Sequence, residues 1–139
     1  MKTKSIKQTI VIKSSPIKVY EAFMNDKKHK EFTGFDANIE NKVGGKFLTC
    51  GHRNFGYTLF LIPGERIVQA WSHEHFPNHE FTIINIDLEK IRENKTRLIF
   101  HQLGIPADCV EWLISGWKLT YWRPLKYYLE KGIIQTLQY

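Results

Sequence analysis

Three histidines lie within one short segment and are the side chains best suited to bind a metal ion. His73, His75 and His79 surround a turn that contains Pro77. If a strand continues through His75, His73 and His75 share a face, and His79 could return across the hairpin as a third nitrogen ligand. The alternative is a solvated loop rim, which we favour because the metal site requires a hairpin geometry that the sequence does not specify. We therefore predict no metal and no other cofactor.

Acid–base chemistry has weaker support in the sequence. His101, Asp87 and Glu111 could act as proton donors or acceptors, but no pattern places them beside a nucleophile. The chain lacks a G-x-S-x-G elbow, a P-loop, an H-E-x-x-H motif and a glycine-rich dinucleotide fingerprint. The sequence therefore predicts a protein that binds rather than an enzyme.

The size and charge of the chain restrict its partners. With 139 residues it is expected to form a single domain over residues 1–139, and no stretch reaches the roughly 20 apolar residues of a membrane span. The net charge of +6 predicts an acidic partner. Because no arginine-rich arm or zinc finger is present, nucleic acid is not expected. Cys50 and Cys109 form no pairing motif, which favours a reducing, cytoplasmic location.

The N-terminal third predicts a strand followed by two short helices. Ile6, Gln8, Ile10 and Ile12 recur at every second position, which is typical of a strand. Ser15 and Pro16 supply an N-cap and a first-turn proline for one helix. Asp26 is the expected cap of a second helix, which we predict to run through Phe32.

The middle of the chain predicts an antiparallel meander. Glycine, proline and polar turns at Gly44-Gly45, Gly51, Pro63-Gly64 and Arg92–Asn94 separate runs that are rich in β-branched and aromatic residues. The predicted strands are 37–42, 46–50, 55–62, 66–72, 79–88 and 95–103. Within residues 81–88, alternation places Thr82, Ile84, Ile86 and Leu88 on the covered face.

The C-terminal third has helical periodicity. One apolar stripe of about 120° contains Val110, Leu113, Ile114, Trp117, Tyr121, Leu125 and Tyr128. Pro106 and Gly132 bracket this helix, and Pro124 is expected to kink it. The predicted fold is therefore α+β: a curved antiparallel sheet of about six to seven strands around a long C-terminal helix, which is the helix-grip architecture.

Aromatic side chains are expected to occupy the space between this sheet and the helix. There they either fill a solid core, which we favour, or line a cavity for a ligand. The candidate lining residues are Phe32, Phe47, Tyr57, Trp71, Phe100, Trp117 and Tyr121.

A second group of helix residues is expected to face away from the sheet. Trp112 and Leu119 project opposite the apolar stripe, beside Arg123 and Lys126. Tryptophan is enriched at protein interfaces, and the cations suit an acidic partner. These four residues are the predicted partner-binding site. The alternative for Trp112 is that it folds under the loop before the helix or covers a sheet edge.

Five segments in the same order resemble the C-terminal domain of the activators of the ATPase of the ninety-kilodalton heat-shock chaperone, within the START-like superfamily. They are SSPIKVYEAF at 14–23, VGGKF at 43–47, LIPGERIVQAW at 61–71, FPNHEFTIINIDL at 76–88 and GIPADCVEWLISGWKLTYWRPLKYYLE at 104–130. Full-length co-chaperones of this family carry an additional N-terminal domain, to which nothing here corresponds.

The resemblance implies a co-chaperone-like domain that binds this chaperone and that could stimulate its ATPase. The alternative is a START-like carrier or sensor of a small apolar or lipid ligand held between sheet and helix. A carrier needs empty volume behind Trp71, Trp117 and Tyr121, whereas a co-chaperone domain needs a firm core and an outer anchor.

Overall fold

The alternating N-terminal residues form strand β1 (Thr3–Ile12), and helices α1 (Pro16–Met24) and α2 (Asp26–Thr33) follow it. The computed structural model describes residues 2–136, so Met1 and residues 137–139 of the predicted domain lie outside the described residues. The cap of α2 is Asn25, whose side chain accepts a hydrogen bond from the Lys28 amide at 2.9 Å. The prediction that Asp26 is the cap was wrong by one residue, because Asp26 already lies in the first turn.

Six further strands complete one antiparallel sheet. They are β2 (Asn38–Ile39), β3 (Lys46–Thr49), β4 (Asn54–Ile62), β5 (Arg66–His73), β6 (Thr82–Arg92) and β7 (Lys95–Pro106). The strand order is β1-β7-β6-β5-β4-β3-β2. Because the first and last strands in this order do not pair, the sheet is open, and the long C-terminal helix packs on it as predicted.

The alternation predicted for β6 is confirmed: Thr82, Ile84, Ile86 and Leu88 are buried. The strand begins at Thr82 rather than at residue 79. Asn78 and His79 adopt φ angles of 53° and 50°, which belong to a turn and interrupt the extended backbone.

Gly56 lies where two strands and a core ring meet. It sits in β4 opposite Phe47 of β3 and Trp71 of β5. A Cβ atom here would collide with the carbonyl oxygen of Ala70 and lie 2.9 Å from Cζ of Phe47. The absence of a side chain therefore lets the Phe47 ring cover the strand.

The long helix contains a π-helical turn. Helix α3 (Val110–Gly116) continues into the π turn Trp117–Trp122 and then into helix α4 (Arg123–Lys131), which ends at Gly132 with φ 68°. The amide of Arg123 donates to the carbonyl of Lys118, five residues earlier. Pro124 has no amide to donate, and its ring would crowd the carbonyl of Thr120 in an α-helix. The π turn accommodates Pro124 where the sequence predicts a kink.

The π turn brings two tryptophan rings into register. The Trp117 and Trp122 rings stack with centroids 5.3 Å apart and an angle of 13° between their planes. Residues five positions apart lie about 140° apart around a regular α-helix, so this stack requires the wider turn. Trp122 is buried although the predicted apolar stripe omits it.

Within residues 2–136, the structure contains no helix that is both long and apolar enough to cross a membrane.

Candidate functional site

The space between sheet and helix is filled by aromatic rings. Six of the seven predicted lining residues are buried there: Phe32, Phe47, Trp71, Phe100, Trp117 and Tyr121. The Trp117 ring lies 4.4 Å from that of Phe100, 4.8 Å from Tyr121 and 5.3 Å from Trp71. Such distances are typical of direct ring packing.

The prediction for Tyr57 was wrong. Tyr57 is 43% exposed and lies on the outer face of the sheet, where its ring contacts that of Phe81. Side chains alternate along β4, and the buried positions are Asn54, Gly56 and Thr58. The sequence pattern did not fix this parity, because aromatic residues occupy the outer positions and small or polar residues the inner ones.

Glutamine side chains of the sheet accept hydrogen bonds from the indole N–H groups of the two stacked tryptophans. The Trp117 indole N–H donates to Oε1 of Gln102 on β7 at 2.8 Å. The Trp122 indole N–H donates to Oε1 of Gln8 on β1 at 2.7 Å, and Nε2 of Gln8 donates to the carbonyl of Ile114 at 3.1 Å. These bonds fix the helix against both strands, because a buried donor without a partner is costly.

The interior leaves little empty volume. The hollow bordered by His29, Phe47, Trp71 and Tyr121 measures about 10 Å³. That volume is about the minimum for one water molecule and far below that of a typical ligand pocket. The part of the space between sheet and helix that His29 and Phe47 border is therefore a solid core.

A buried polar network lies at the base of this core. Nδ1 of His29 donates to the carbonyl of Phe23 at 2.8 Å, so Nε2 accepts from the Tyr121 hydroxyl at 3.0 Å. The Tyr121 oxygen in turn accepts from the Cys50 thiol and from the Asn54 amide. Burial lowers the pKa of His29 to about 4 and raises the pKa values of Tyr121 and Cys50. The network is therefore uncharged at neutral pH.

A larger hollow of about 210 Å³ adjoins this network, because Cys50, Asn54 and Tyr121 also line it. It opens between the sheet and the long helix, and we call it the first hollow. Trp71, Trp117 and Tyr121 line its inner part, and Phe35, Arg53 and Trp112 lie towards the outside. The Arg53 guanidinium lies 5.8 Å from the centroid of the Phe35 ring.

Trp112 is partly exposed, as a partner-binding residue would be, and partly packed against another segment, which was the alternative. It is 39% exposed, and its ring packs against His73 at 4.8 Å and Phe76 at 6.1 Å. One side of the indole therefore covers the loop after β5, while the rest remains accessible at the first hollow.

Two further hollows flank the outer side of the long helix. The second, of about 200 Å³, shares Phe35 and Thr120 with the first, and the third, of about 340 Å³, lies towards β1. Arg123 and Tyr127 border both the second and the third. Tyr127 was not predicted for this site, although it lies four residues after Arg123 and is therefore its neighbour on the helix surface.

The structure separates the other predicted partner-binding residues. Leu119 is 59% exposed and Arg123 is exposed, both at the second hollow. Lys126 instead donates to the carbonyl of Val11 at 2.8 Å and to Glu130 at 3.0 Å. These contacts join α4 to β1 and hold the Lys126 ammonium at the edge of the third hollow, so its role as a docking cation stays a prediction.

All the described aspartate, glutamate, lysine and arginine side chains that line the three hollows are cations. Their cations are Arg53, Lys118, Arg123 and Lys126, and the described residues that line them include no aspartate or glutamate. Within residues 2–136, Lys118 and Arg123 form no ion pair. This side of the helix combines available positive charge with exposed apolar surface.

The three histidines do not converge. His73 is buried beside Trp112, whereas His79 packs on Phe55 with ring centroids 5.9 Å apart. Phe55 and His73 occupy opposite faces of the sheet, because Phe55 alternates with Asn54, the register partner of His73. Among residues 2–136, no three histidine, cysteine or acidic side chains are grouped to hold a metal ion.

The chain matches proteins of one family over most of its length. A family model described as "Activator of Hsp90 ATPase homolog 1-like protein" matches residues 13–130. The activator of 90 kDa heat shock protein ATPase homolog of Dictyostelium discoideum is 33% identical over 84% of this chain and 30% of its own length. The corresponding homolog 1 of Homo sapiens is 30% identical over 97% of this chain and 37% of its own length. The chain thus spans about a third of these curated relatives.

A solved structure shows the same fold. An HSP90 activator from Plasmodium falciparum superposes with a TM-score of 0.84 at 20% identity, covering 94% of this chain and 97% of the solved one. At that identity the comparison supports the arrangement of helix and sheet described above.

Proposed function

The chain belongs to the Activator of Hsp90 ATPase homolog 1-like family, and from this premise we propose that it is a non-enzymatic domain that binds a chaperone of the ninety-kilodalton heat-shock class. The curated relatives from Dictyostelium discoideum and Homo sapiens, whose names refer to this chaperone, are about three times as long as the chain. Chaperone binding, stimulation of its ATPase and a cytoplasmic location are therefore all parts of the proposal.

Exposed residues on the outer side of the long helix support the proposal. Leu119 is exposed there beside Arg123, which has no ion-pair partner among residues 2–136. An exposed apolar side chain next to an available cation suits a protein surface of opposite charge.

Binding would act on the chaperone through a difference in affinity. A partner shifts a conformational equilibrium only to the extent that it binds one state more tightly than the other. The domain would accelerate ATP turnover if the site it recognises forms in the closed, hydrolysing state. A rigid core supports this role, because a preorganised surface loses little entropy on binding.

A small apolar ligand is the second candidate, and the first hollow favours it. Its aromatic walls enclose about 210 Å³, below the roughly 300 Å³ at which drug-sized pockets begin. This volume suits a single ring better than a lipid chain. Organic extraction of the purified protein followed by mass spectrometry tests this role, and a stoichiometric apolar compound would support it.

Titration of the domain into the full-length chaperone tests the main proposal, with binding heat and ATP turnover measured on the same samples. We expect saturable binding that Arg123→Glu weakens. The control is Arg92→Glu, an equal charge change at an exposed residue of the β6–β7 hairpin. Faster turnover would identify an activator, and binding without faster turnover would identify an adaptor. No binding at all would contradict the proposal.

A further inference from the structure

The three hollows form a continuous surface rather than separate pockets. The first and second share Phe35 and Thr120, and the second and third share Arg123 and Tyr127. Their helix residues extend from Trp112 to Tyr127, and the 15 steps between them span about 22 Å along the axis at about 1.5 Å per step.

The dimensions of this surface suit an extended peptide. A strand advances by about 3.3 Å per residue, so about seven extended residues span the distance from Trp112 to Tyr127. Successive side chains of a strand point in opposite directions. An extended segment laid along the helix could therefore direct apolar side chains into the hollows and leave the intervening residues at the rim.

The rim determines the charge of that peptide. The cations Arg53, Lys118 and Arg123 are exposed, and the described lining residues include no carboxylate that would repel an acidic ligand. Carboxylates form charge-assisted hydrogen bonds with arginine, often through two parallel N–H donors. The exposed Leu119 and the half-buried Trp112 supply apolar contact between these cations.

From these observations we propose that the outer side of the long helix binds an extended acidic segment of a partner protein, about seven residues long, with apolar side chains at alternate positions. This inference rests on the proposed function, since it specifies which kind of chaperone surface the domain would recognise. Apolar hollows beside the exposed Leu119 favour a peptide over a membrane surface or a nucleic-acid duplex, for which positive charge supplies most of the affinity.

Selection from a phage-displayed library of random dodecapeptides against the purified chain tests the inference. Selected sequences should be rich in aspartate and glutamate with apolar residues at every second position. Their affinities, measured by fluorescence anisotropy, should fall about tenfold in Leu119→Ser and in Arg123→Glu, the loss expected for an interface anchor. The control Arg92→Glu should change them less than twofold.

Several outcomes would overturn the inference. They are selected peptides without acidic residues, peptide binding that Leu119→Ser and Arg123→Glu leave unchanged, and tighter binding of single-stranded DNA or of phosphatidylserine vesicles at the same surface. Chaperone binding that persists undiminished in both variants would also overturn it, because the domain would then bind the chaperone through another surface. Peptide binding of the expected pattern without any chaperone binding would support this surface and contradict the proposed partner.

Discussion

At the scale of single residues, Tyr121 is the centre of the core. Its hydroxyl joins His29 of α2 to Cys50 and Asn54, which lie beside and within the sheet. These contacts link three parts of the fold through one oxygen atom. No buried side-chain nitrogen or oxygen among the described residues lacks a hydrogen-bond partner. The loss of one member should therefore leave its neighbours unsatisfied.

Tyr121→Phe tests this network. The substitution keeps the ring but leaves His29 and Asn54 without their shared partner, so we expect the free energy of unfolding to fall by about 1–3 kcal/mol. Urea denaturation followed by circular dichroism measures the change. Tyr127→Phe removes an exposed hydroxyl and should change stability by less than about 0.5 kcal/mol. Equal effects of the two substitutions would contradict the importance of the network.

Protonation of His29 should make stability depend on pH. Burial lowers its pKa from 6.5 to about 4, so between these values the unfolded chain binds a proton that the folded chain does not. This contribution is fully present above pH 6.5 and is lost as the pH falls towards 4. We expect His29 alone to lower the free energy of unfolding by about 2 kcal/mol between about pH 7.5 and pH 5.

The His29→Gln variant is the control for this pH dependence. It should lose more than half of the decrease between pH 7.5 and pH 5, and the remainder is expected from His73, whose pKa burial also lowers. Urea denaturation at several pH values measures the slope. An unchanged slope in His29→Gln would contradict the assignment.

At the scale of secondary structure, the π turn explains most of the difference between sequence and structure in the long helix. A uniform rotation of about 100° per residue places the predicted stripe correctly, including Tyr121 and Leu125, which are buried as expected. The same rotation turns Trp122 away from the core, but the π turn returns it to the sheet, where it bonds to Gln8. Periodicity alone does not reveal such a turn, and Pro124 was the available signal.

The sheet was predictable where alternation is strong and less so where turns are unusual. The buried face of β6 followed from its alternating aliphatic residues. The start of β6 and the orientation of Tyr57 did not, because they depend on left-handed residues near Asn78 and on an inner face made of small and polar residues. Trp112 packs against His73 at the end of β5, and Lys126 donates to the carbonyl of Val11 on β1. Both partners are distant in the sequence, so the spacing of residues along the helix does not predict these contacts.

Alanine substitutions at Gly56 in β4 and at Gly116 in α3 compare a tightly packed position with an open one. Gly56→Ala places a methyl group against the carbonyl of Ala70 and the Phe47 ring, so we expect a loss of about 3 kcal/mol in stability. Gly116→Ala meets no atom within 4 Å and favours the helix, so we expect a gain of about 0.5–1 kcal/mol. Thermal and urea denaturation measure both changes. A tolerated Gly56→Ala would show that strands β3 to β5 can separate without cost.

At the scale of the whole molecule, a packed interior supports three hollows whose described charged residues are all cations. The helix-grip order of elements was predictable, since it follows from periodicity and turn residues along the entire chain. The charge distribution was less so, because +6 is a property of the sequence, whereas the absence of carboxylates from three described hollows arises only on folding. Folding thus brings Arg53, Lys118, Arg123 and Lys126, which are far apart in the sequence or on different sides of a helical turn, to the edges of adjoining hollows.

This distribution predicts a strong salt dependence of docking. Exposed charges are screened over about 10 Å at 0.1 M salt and about 3 Å at 1 M, so the association rate with an acidic partner should fall steeply as salt increases. Stopped-flow or surface-based kinetics at several salt concentrations measure this rate. The dissociation rate should change much less, because apolar contacts at Leu119 are not screened. A salt-independent association rate would contradict electrostatic docking.

The stacked tryptophans also give the molecule an optical signature. Trp71, Trp117 and Trp122 are buried, whereas Trp112 is partly exposed at the first hollow. The stacked indoles of Trp117 and Trp122 should couple their strong far-ultraviolet transitions and produce a pair of circular-dichroism bands of opposite sign, which the backbone signal alone does not give. Acrylamide should quench the emission of Trp112 before that of the other three. The protein therefore carries one chromophore that reports on its surface and a coupled pair that reports on its core, without any added label.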